Sequence, residues 1–315
     1  MPADLRVALG ALPLANPVIA AAGTFGYGLE FQGAMPVRRL GAIITKTVTA
    51  RARDGNPPPR LVETPAGMLN AVGLQNVGLD AFLEEKVPKL GALGVPIIAS
   101  LMAETLEEAR AMAERLDRAA PIAAVELNLS CPNITHGHRR GMVAQDAEAT
   151  REFVSAARQA LRKPLIAKLS PDVTDPRPIA EAAAAAGADA LSLVNTFTGM
   201  SLDPRTRRSR IGSLTGGVSG PAIRPLAVYR VWLVRQVVSI PIIGLGGILR
   251  AEDAIEFLLA GATAVAVGTA TFADPKAAAR VVDGLQKFAD RQGLRRIDEL
   301  IGAIEDGRQH AVATG

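Results

Sequence analysis

The sequence predicts an α/β protein folded as a (β/α)8 TIM barrel, and three observations lead to that prediction. Short apolar runs, each long enough for one strand, alternate with longer segments of helical periodicity. The apolar runs are continuous rather than alternating, as in parallel strands that are covered on both faces. Eight such units fit into about 270 residues, close to the roughly 250 residues that are typical of this barrel.

The elements follow in order along the chain. The predicted strands are 17–22, 42–48, 96–101, 123–129, 164–169, 190–195, 241–245 and 264–269. The predicted helices include 105–116, 147–161, 178–186, 221–238 and 251–259. Gly187 and Gly261 each follow a helical run, where a helix ends on glycine. Because no Gly/Ser linker or change of composition divides the chain, we expect one domain over residues 1–315.

An open, doubly wound sheet is the competing architecture. It would place the pattern Gly-x-Gly-x-x-Gly directly after the first strand to hold a dinucleotide. Residues 23–28 read Gly-Thr-Phe-Gly-Tyr-Gly instead, so the glycines have the wrong spacing. The barrel is therefore favoured.

The composition limits the class of protein. Hydrophobic residues make up 49% of the chain and charged residues 21%, which supports a large core and excludes wholesale disorder. No apolar run approaches the roughly 20 residues that span a bilayer, and no signal-peptide pattern begins the chain. A single cysteine suits a reducing compartment, so we expect a cytoplasmic protein with no membrane association. The net charge of +4 permits anionic ligands without indicating nucleic acid.

Lysines and glycines collect at the carboxyl ends of the predicted strands, where barrel enzymes keep their active sites. Lys46 and Lys168 each end an apolar strand, and a buried lysine usually has a partner. We expect both to face an anion; a structural salt bridge, or a Schiff base on Lys168, stays open. The glycines at 246, 247 and 268 follow the last two strands, at the usual phosphate site of this fold, with Gly220 to one side. Plain tight turns are the alternative for these glycines.

Cys131 follows the fourth predicted strand and is the only cysteine of the chain. It has no partner for an intrachain disulfide and no cysteine neighbour for a metal site. A reactive thiol and an inert buried thiol are both consistent with this position. His136 and His138 follow, but no acidic orienting group is evident from the spacing, which favours a flexible loop over a Cys/His nucleophile pair.

Two connections, 49–78 and 196–220, are too long for minimal βα loops and are expected to be functional. The first contains Asn70, whose amide can either bind a planar heterocycle or form a turn. The second contains the arginine-rich stretch 205–210, for which we expect a solvated, mobile loop. A nucleic-acid or acidic-partner surface is the weaker alternative for that stretch, because no aromatic residues are interleaved to stack on bases.

Three short motifs stand out: Asn-Leu-Ser-Cys-Pro-Asn at 128–133, Asn-Ala-Val-Gly-Leu at 70–74 and Gly-Thr-Phe-Gly at 23–26. Together they resemble class 1 dihydroorotate dehydrogenases. The stretches 23–28, 63–76 and 219–225 are most similar to the class 1B catalytic subunit, and the motifs match in unbroken order from residue 16 to about residue 275. The resemblance implies an FMN-containing barrel that oxidises (S)-dihydroorotate to orotate in pyrimidine biosynthesis.

The resemblance also implies roles for individual residues. Cys131 is the expected base that removes the C5 proton while hydride leaves C6 for flavin N5; a free thiol has a pKa of about 8.5, so a modest downward shift suits it to this work. Lys46 is the second expected catalytic residue, and Lys168 is expected beside the flavin N1–C2 edge. The implied substrate-binding residues are Lys46, Asn70, Gly73, Leu74, Asn128, Asn133, Asn195 and Thr196. The implied cofactor-binding residues are Ala22, Gly23, Lys46, Thr47, Ser100, Asn128, Lys168, Val194, Gly220, Gly246, Gly247, Gly268 and Thr269; no metal ligand is implied.

The chain departs from the family pattern in three places. Ala22 stands where the family usually has serine, and Ser100 stands where it usually has asparagine. At these two positions the resemblance implies no flavin contact beyond the backbone. The loop 134–142, which is expected to cover the site, is less rich in glycine than is usual for class 1B.

The electron acceptor is only partly predictable. One cysteine cannot ligate an iron–sulfur cluster, and the chain lacks a dinucleotide fingerprint. If NAD is the final acceptor, as in class 1B, a partner subunit with FAD and an iron–sulfur cluster must carry the electrons. We expect a homodimer, or a heterotetramer with that subunit, and no nucleic-acid partner. A fumarate-using class 1A-type enzyme, a flavoenzyme like the tRNA-dihydrouridine synthases and a flavin-free lyase acting through Lys168 remain alternatives.

Overall fold

The structure is a computed structural model that describes residues 1–130, 135–136, 139–140 and 142–305. In chain order the strands are β1 (Val7–Leu9), β2 (Leu12–Leu14), β3 (Val18–Ala20), β4 (Ala42–Ile44), β5 (Leu61–Thr64), β6 (Gly67–Asn70), β7 (Ile97–Leu101), β8 (Ile122–Asn128), β9 (Thr135–His136), β10 (Arg139–Arg140), β11 (Leu165–Lys168), β12 (Ala190–Leu193), β13 (Phe197–Gly199), β14 (Leu202–Asp203), β15 (Arg208–Ser209), β16 (Gly216–Ser219), β17 (Ile242–Leu245) and β18 (Ala264–Val267). The α-helices are α1 (Gly78–Ala81), α2 (Val87–Leu90), α3 (Leu106–Arg118), α4 (Ala147–Ala160), α5 (Arg177–Ala185), α6 (Arg224–Arg235), α7 (Ala251–Leu259), α8 (Ala270–Ala273) and α9 (Ala277–Gln292), with a π-helical segment at Phe82–Lys86. Short 3-10 turns lie at Leu29–Phe31, Val37–Arg39, Gly91–Leu93, Val143–Gln145, Pro221–Ile223 and Ile297–Leu300.

Parallel strands close into a barrel in the order β3-β4-β7-β8-β11-β12-β17-β18. The predicted barrel is therefore confirmed, and each predicted strand overlaps one strand of the barrel. The predicted run 42–48 is regular only over β4, although Val48 still pairs with Leu101 as an isolated parallel bridge. Among the described residues, none of the helices combines the length and the hydropathy that a bilayer crossing needs.

Local chemistry explains where the helices begin and end. Thr105 caps α3 by accepting a hydrogen bond from the Glu108 backbone N–H at 3.1 Å, and Asp146 caps α4 by accepting one from the Ala149 N–H at 3.0 Å. Helix α9 ends at Gly293, which has a φ of 67°. These caps fix the helices that pack around the barrel.

The barrel interior is aliphatic at its amino end. Alternate residues of the strands point inward there, as the two-residue period of a strand requires. The β1–β2 hairpin closes this end and was not predicted. The side chains of this layer are almost completely buried: Ile19, Ile44, Ile98, Ile166 and Ile243 from the strands, and Leu9, Leu12 and Leu14 from the hairpin. We call them the lower layer.

The two long connections differ from the prediction, because both contribute strands. Strands β5 and β6 from the first connection and β13 and β16 from the second form one antiparallel sheet in the order β13-β16-β6-β5. The arginine-rich stretch was expected to be a mobile loop, but part of it is β15, which pairs with β14. The sequence did not predict the four-stranded sheet because β6 and β16, which pair in it, are far apart in the chain. The glycines of β16 also hide the alternating pattern of a strand.

Candidate active site

A cavity of about 830 Å³ lies at the carboxyl ends of the barrel strands. Its wall combines the ends of the barrel strands with residues of the four-stranded sheet, including Leu61, Met68 and Gly217. This volume falls within the range of cavities that enclose a small organic ligand or cofactor. The sheet therefore forms part of the wall of the cavity that the barrel positions.

The predicted site residues converge on this cavity. Of those that the structure describes, all except Ser100 line its wall: Ala22, Gly23, Lys46, Thr47, Asn70, Gly73, Leu74, Asn128, Lys168, Val194, Asn195, Thr196, Gly220, Gly246, Gly247, Gly268 and Thr269. Cys131 and Asn133 lie outside the described residues. Ser130, the residue before Cys131, lines the cavity, and its backbone N–H donates to Asn128 Oδ1 at 3.1 Å.

Glycine turns form one end of the cavity. Gly246 and Gly247 follow β17 with φ angles of 135° and 75°, where a side chain is strained. A Cβ on Gly247 would lie 2.7 Å from the carbonyl oxygen of Gly220. A Cβ on Gly246 would lie 2.8 Å from the Cβ of Ala227. Glycine at both positions therefore lets this turn pack closely against Ala227 and Gly220, and the bare backbone that both residues contribute to the cavity wall suits a phosphate group.

Two lysines give the cavity floor its charge. Lys168 is 4% exposed, and its Nζ lies 3.9 Å from Oε1 of Glu126. The Lys46 ammonium has no carboxylate within salt-bridge distance among the described residues. Burial, and secondly the charge of Lys168, lower the pKa of Lys46 below its ordinary value. The floor therefore carries more positive than negative charge and favours an anionic ligand.

Ser100 and Glu126 lie beneath the floor. Ser100 is fully buried; its hydroxyl shares a hydrogen bond with Thr47 Oγ1 at 2.9 Å and donates to Glu126 Oε1 at 3.1 Å. Ser100 therefore touches Thr47, which does line the cavity, rather than lining the cavity itself. The sequence reasoning missed Glu126 as a site residue. A signal existed: Glu126 is the one charged residue in the apolar run 123–129, and a buried carboxylate usually has a cationic partner.

Amides and glycines shape the other end of the cavity. Asn70 Nδ2 donates to the Gly217 carbonyl oxygen at 3.0 Å, and Asn195 Oδ1 accepts from the Thr196 N–H at 2.9 Å. Position 73 needs a glycine because a Cβ there would lie 2.6 Å from the backbone N of Asn56, a residue that the sequence did not predict for the site. Asn56 lines the cavity, as do Arg53, Asp54, Ser170 and Asp172, which were not predicted either. No local pattern in the sequence distinguishes these five from ordinary loop residues.

Comparisons with known proteins agree on one family. A family model described as dihydroorotate dehydrogenase matches residues 4–289. A protein of Geotalea uraniireducens named dihydroorotate dehydrogenase B (NAD(+)), catalytic subunit, is 51% identical over 302 residues, which cover 96% of this chain and 98% of that protein. A protein of the same name from Geotalea daltonii is 51% identical over 303 residues (96% and 98%). Another from Pelobacter propionicus is 48% identical over 306 residues (97% and 100%).

Proposed function

The chain belongs to the dihydroorotate dehydrogenase family, and we propose that it oxidises (S)-dihydroorotate to orotate in pyrimidine biosynthesis with FMN as its cofactor. The main support is the convergence of two lysines, three amides and the glycine turns on one cavity. Family membership over residues 4–289 argues against both a tRNA-dihydrouridine synthase and a Schiff-base lyase. The names of the relatives favour the class 1B, NAD-linked form.

The residues present fit FMN. Gly246, Gly247 and Gly220 provide a side-chain-free end for the phosphate group, and the Gly247 position has no room for even a methyl group. Lys46 and Lys168 provide positive charge for the pyrimidine edge of the flavin. Within the described residues, no group of three or more His, Cys, Asp or Glu side chains could hold a metal. We propose that Ala22, Gly23, Thr47, Asn128, Val194, Gly268 and Thr269 complete the flavin site, with Ser100 acting through Thr47.

The reaction removes a proton from C5 and a hydride from C6 of dihydroorotate, and bound FMN supplies the hydride acceptor. We propose that Sγ of Cys131 accepts the C5 proton. Cys131 directly follows Ser130, which lines the cavity. Lys46 offsets the negative charge of the substrate carboxylate. Asn70, Asn128, Asn133, Asn195 and Thr196, together with the backbone of Gly73 and Leu74, orient the substrate ring so that C5 meets the thiolate.

Electrons then have to leave the chain. We propose that they pass to NAD through a partner subunit that carries FAD and an iron–sulfur cluster, in a heterotetramer built on a homodimer of this chain. The name "catalytic subunit" of the relatives supports this arrangement. The single cysteine and the lack of a dinucleotide fingerprint support it as well. Direct use of fumarate is the competing proposal.

The single cysteine also agrees with a cytoplasmic location.

An absorbance spectrum tests the function. The purified chain should be yellow, and anaerobic dihydroorotate should bleach the flavin bands. Cys131→Ser should keep the flavin and still bind orotate, but it should lose most of the bleaching rate at neutral pH. Its residual rate should rise with pH because a hydroxyl loses its proton far less readily than a thiol, so almost none of it is ionised at neutral pH.

Three results would count against this assignment. A colourless chain that gains no colour with added FMN would contradict the cofactor. Equal bleaching rates for Cys131→Ser and the parent would remove Cys131 from the chemistry. Direct reduction of NAD by the isolated chain would contradict the need for a partner subunit.

A further inference from the structure

The barrel interior changes character directly beneath the cavity. Two residues beyond the lower layer, four neighbouring strands carry polar side chains in place of aliphatic ones: Ser100 on β7, Glu126 on β8, Lys168 on β11 and Ser192 on β12. Ser100, Glu126 and Ser192 are completely buried, and Lys168 is 4% exposed. We call these four side chains the upper layer.

Glu126 is the only carboxylate in this layer. Its Oε1 accepts the Ser100 hydroxyl at 3.1 Å and lies 3.9 Å from Lys168 Nζ. Its Oε2 has no hydrogen-bond partner among the residues that the structure describes. A buried carboxylate that is only partly paired costs several kcal/mol of desolvation. An apolar residue would fill this space without that cost, so packing alone does not explain a glutamate here.

The charges nearby suggest what the glutamate does. Lys46 and Lys168 are close enough for the charge of Lys168 to lower the pKa of Lys46. Glu126 lies beside Lys168 and is not among the residues that line the cavity, and its carboxylate offsets one of the two positive charges. Ser100 ties the carboxylate in turn to Thr47, which lines the cavity. The chain Thr47–Ser100–Glu126–Lys168 thus links buried groups to the cavity floor.

We propose that Glu126 is a positioning residue, which holds the Lys168 ammonium on the cavity floor and sets the reduction potential of the bound flavin. This inference rests on the proposed flavin function. Reduction adds negative charge to the pyrimidine edge of a flavin, and positive charge at that edge favours the reduced form. Glu126 cancels part of that positive charge, so it lowers the potential and favours onward transfer of electrons to an acceptor.

The test compares three variants of the FMN-loaded protein without dihydroorotate. Glu126→Gln keeps the shape and removes the charge. It should shift the equilibrium between oxidised and reduced flavin at least tenfold toward the reduced form, which raises the reduction potential by about 30 mV for a two-electron couple. Sulfite, whose adduct with flavin is anionic, should bind correspondingly tighter. Glu126→Asp keeps the charge but moves it away from Lys168, so its potential should fall between those of the parent and Glu126→Gln. Ser192→Ala, a neutral change in the same layer, should leave both measurements unchanged.

The outcomes separate this inference from the proposed function. If the parent protein is not bleached by dihydroorotate, the function itself fails. If the parent is bleached but Glu126→Gln has the potential of Ser192→Ala, only the inference about Glu126 fails. If Glu126→Gln does not fold, the test rests on Glu126→Asp. A reduction potential of Glu126→Asp equal to that of the parent then overturns the proposal.

Discussion

Two layers of the same barrel lie two residues apart on the same strands and have opposite chemistry. In the lower layer, strand residues such as Ile98 and Ile166 pack against the leucines of the β1–β2 hairpin. In the upper layer, Ser100 and Lys168 occupy the next inward positions of the same two strands. Both layers are buried, so exposure does not distinguish them.

The difference shows how one barrel combines stability with an active site. Burying an isoleucine or leucine side chain contributes roughly 1.5–3 kcal/mol, whereas burying charges that are incompletely paired costs free energy. The aliphatic layer thereby offsets the cost of the charged one. Substitutions in the lower layer should change stability alone, and substitutions around the upper layer and the cavity should change ligand binding or redox behaviour. Three experiments can sharpen or break that separation.

The largest effect on stability is expected at Ile166, which is completely buried in the lower layer. Ile166→Ala should lower the free energy of unfolding by about 2–5 kcal/mol, because it removes buried methyl groups and leaves a cavity. Ile166→Val, the matched control, should cost about 0.5–1.5 kcal/mol. Denaturant unfolding measures both changes. Orotate affinity and flavin potential should stay at the parent values, and a shift in either would break the separation of the layers.

Much of this arrangement could be predicted from the sequence because its signals are local. Continuous apolar runs identify the barrel strands, and residues directly after them, such as Lys46, Gly246 and Gly268, must meet at one mouth. The lysines and glycines of the site follow from that rule without a structure. Asn128 and Asn195, at or just after the ends of β8 and β12, follow from the same rule. The resemblance to a family adds Asn70, which lies in the long connection 49–78, where no such rule applies.

The rest depends on contacts between distant parts of the chain. The pairing of Leu69 with Val218 in the sheet beside the cavity, and the packing of the β1–β2 hairpin into the barrel, have no local signature. The family pattern placed Ser100 beside the flavin without a side-chain contact, and it did not indicate that the Ser100 hydroxyl bonds to Glu126 and Thr47. Only the register of neighbouring strands tells which inward-facing strand residue lies at the cavity floor and which lies beneath it.

A second experiment concerns the glycine end of the cavity. Gly247→Ala should cost more than the roughly 1–2 kcal/mol that a φ of 75° alone would cost, because the new Cβ would also lie 2.7 Å from the Gly220 carbonyl oxygen. The same change should weaken FMN binding at least tenfold, about 1.4 kcal/mol, because the new Cβ would displace the backbone near Gly220. Gly293→Ala is a matched control: its φ is 67°, and a Cβ there has no neighbour within 4 Å. It should cost only about 1–2 kcal/mol of stability, from its φ, and leave FMN affinity unchanged, as flavin fluorescence titration can establish. Equal losses of affinity in both variants would mean that backbone strain, and not the phosphate cradle, controls binding.

The smallest effect is a dependence on pH that comes from Lys46, two residues beyond Ile44 of the lower layer. Burial and the nearby Lys168 lower the pKa of Lys46 below the ordinary 10.5. In the unfolded chain the ordinary value returns, so between the lowered pKa and 10.5 the unfolded state binds more protons. The stability of the orotate-free protein should therefore rise with pH across that window.

Orotate affinity should change in the opposite direction, because the carboxylate of orotate needs the protonated ammonium of Lys46. As pH rises through the lowered pKa, the affinity should fall by up to about tenfold per pH unit. Titrations of the Lys46→Met variant report the ionisation of orotate and flavin themselves, so the difference from the parent isolates Lys46. If the parent and Lys46→Met show parallel pH profiles, Lys46 does not bind orotate through its charge.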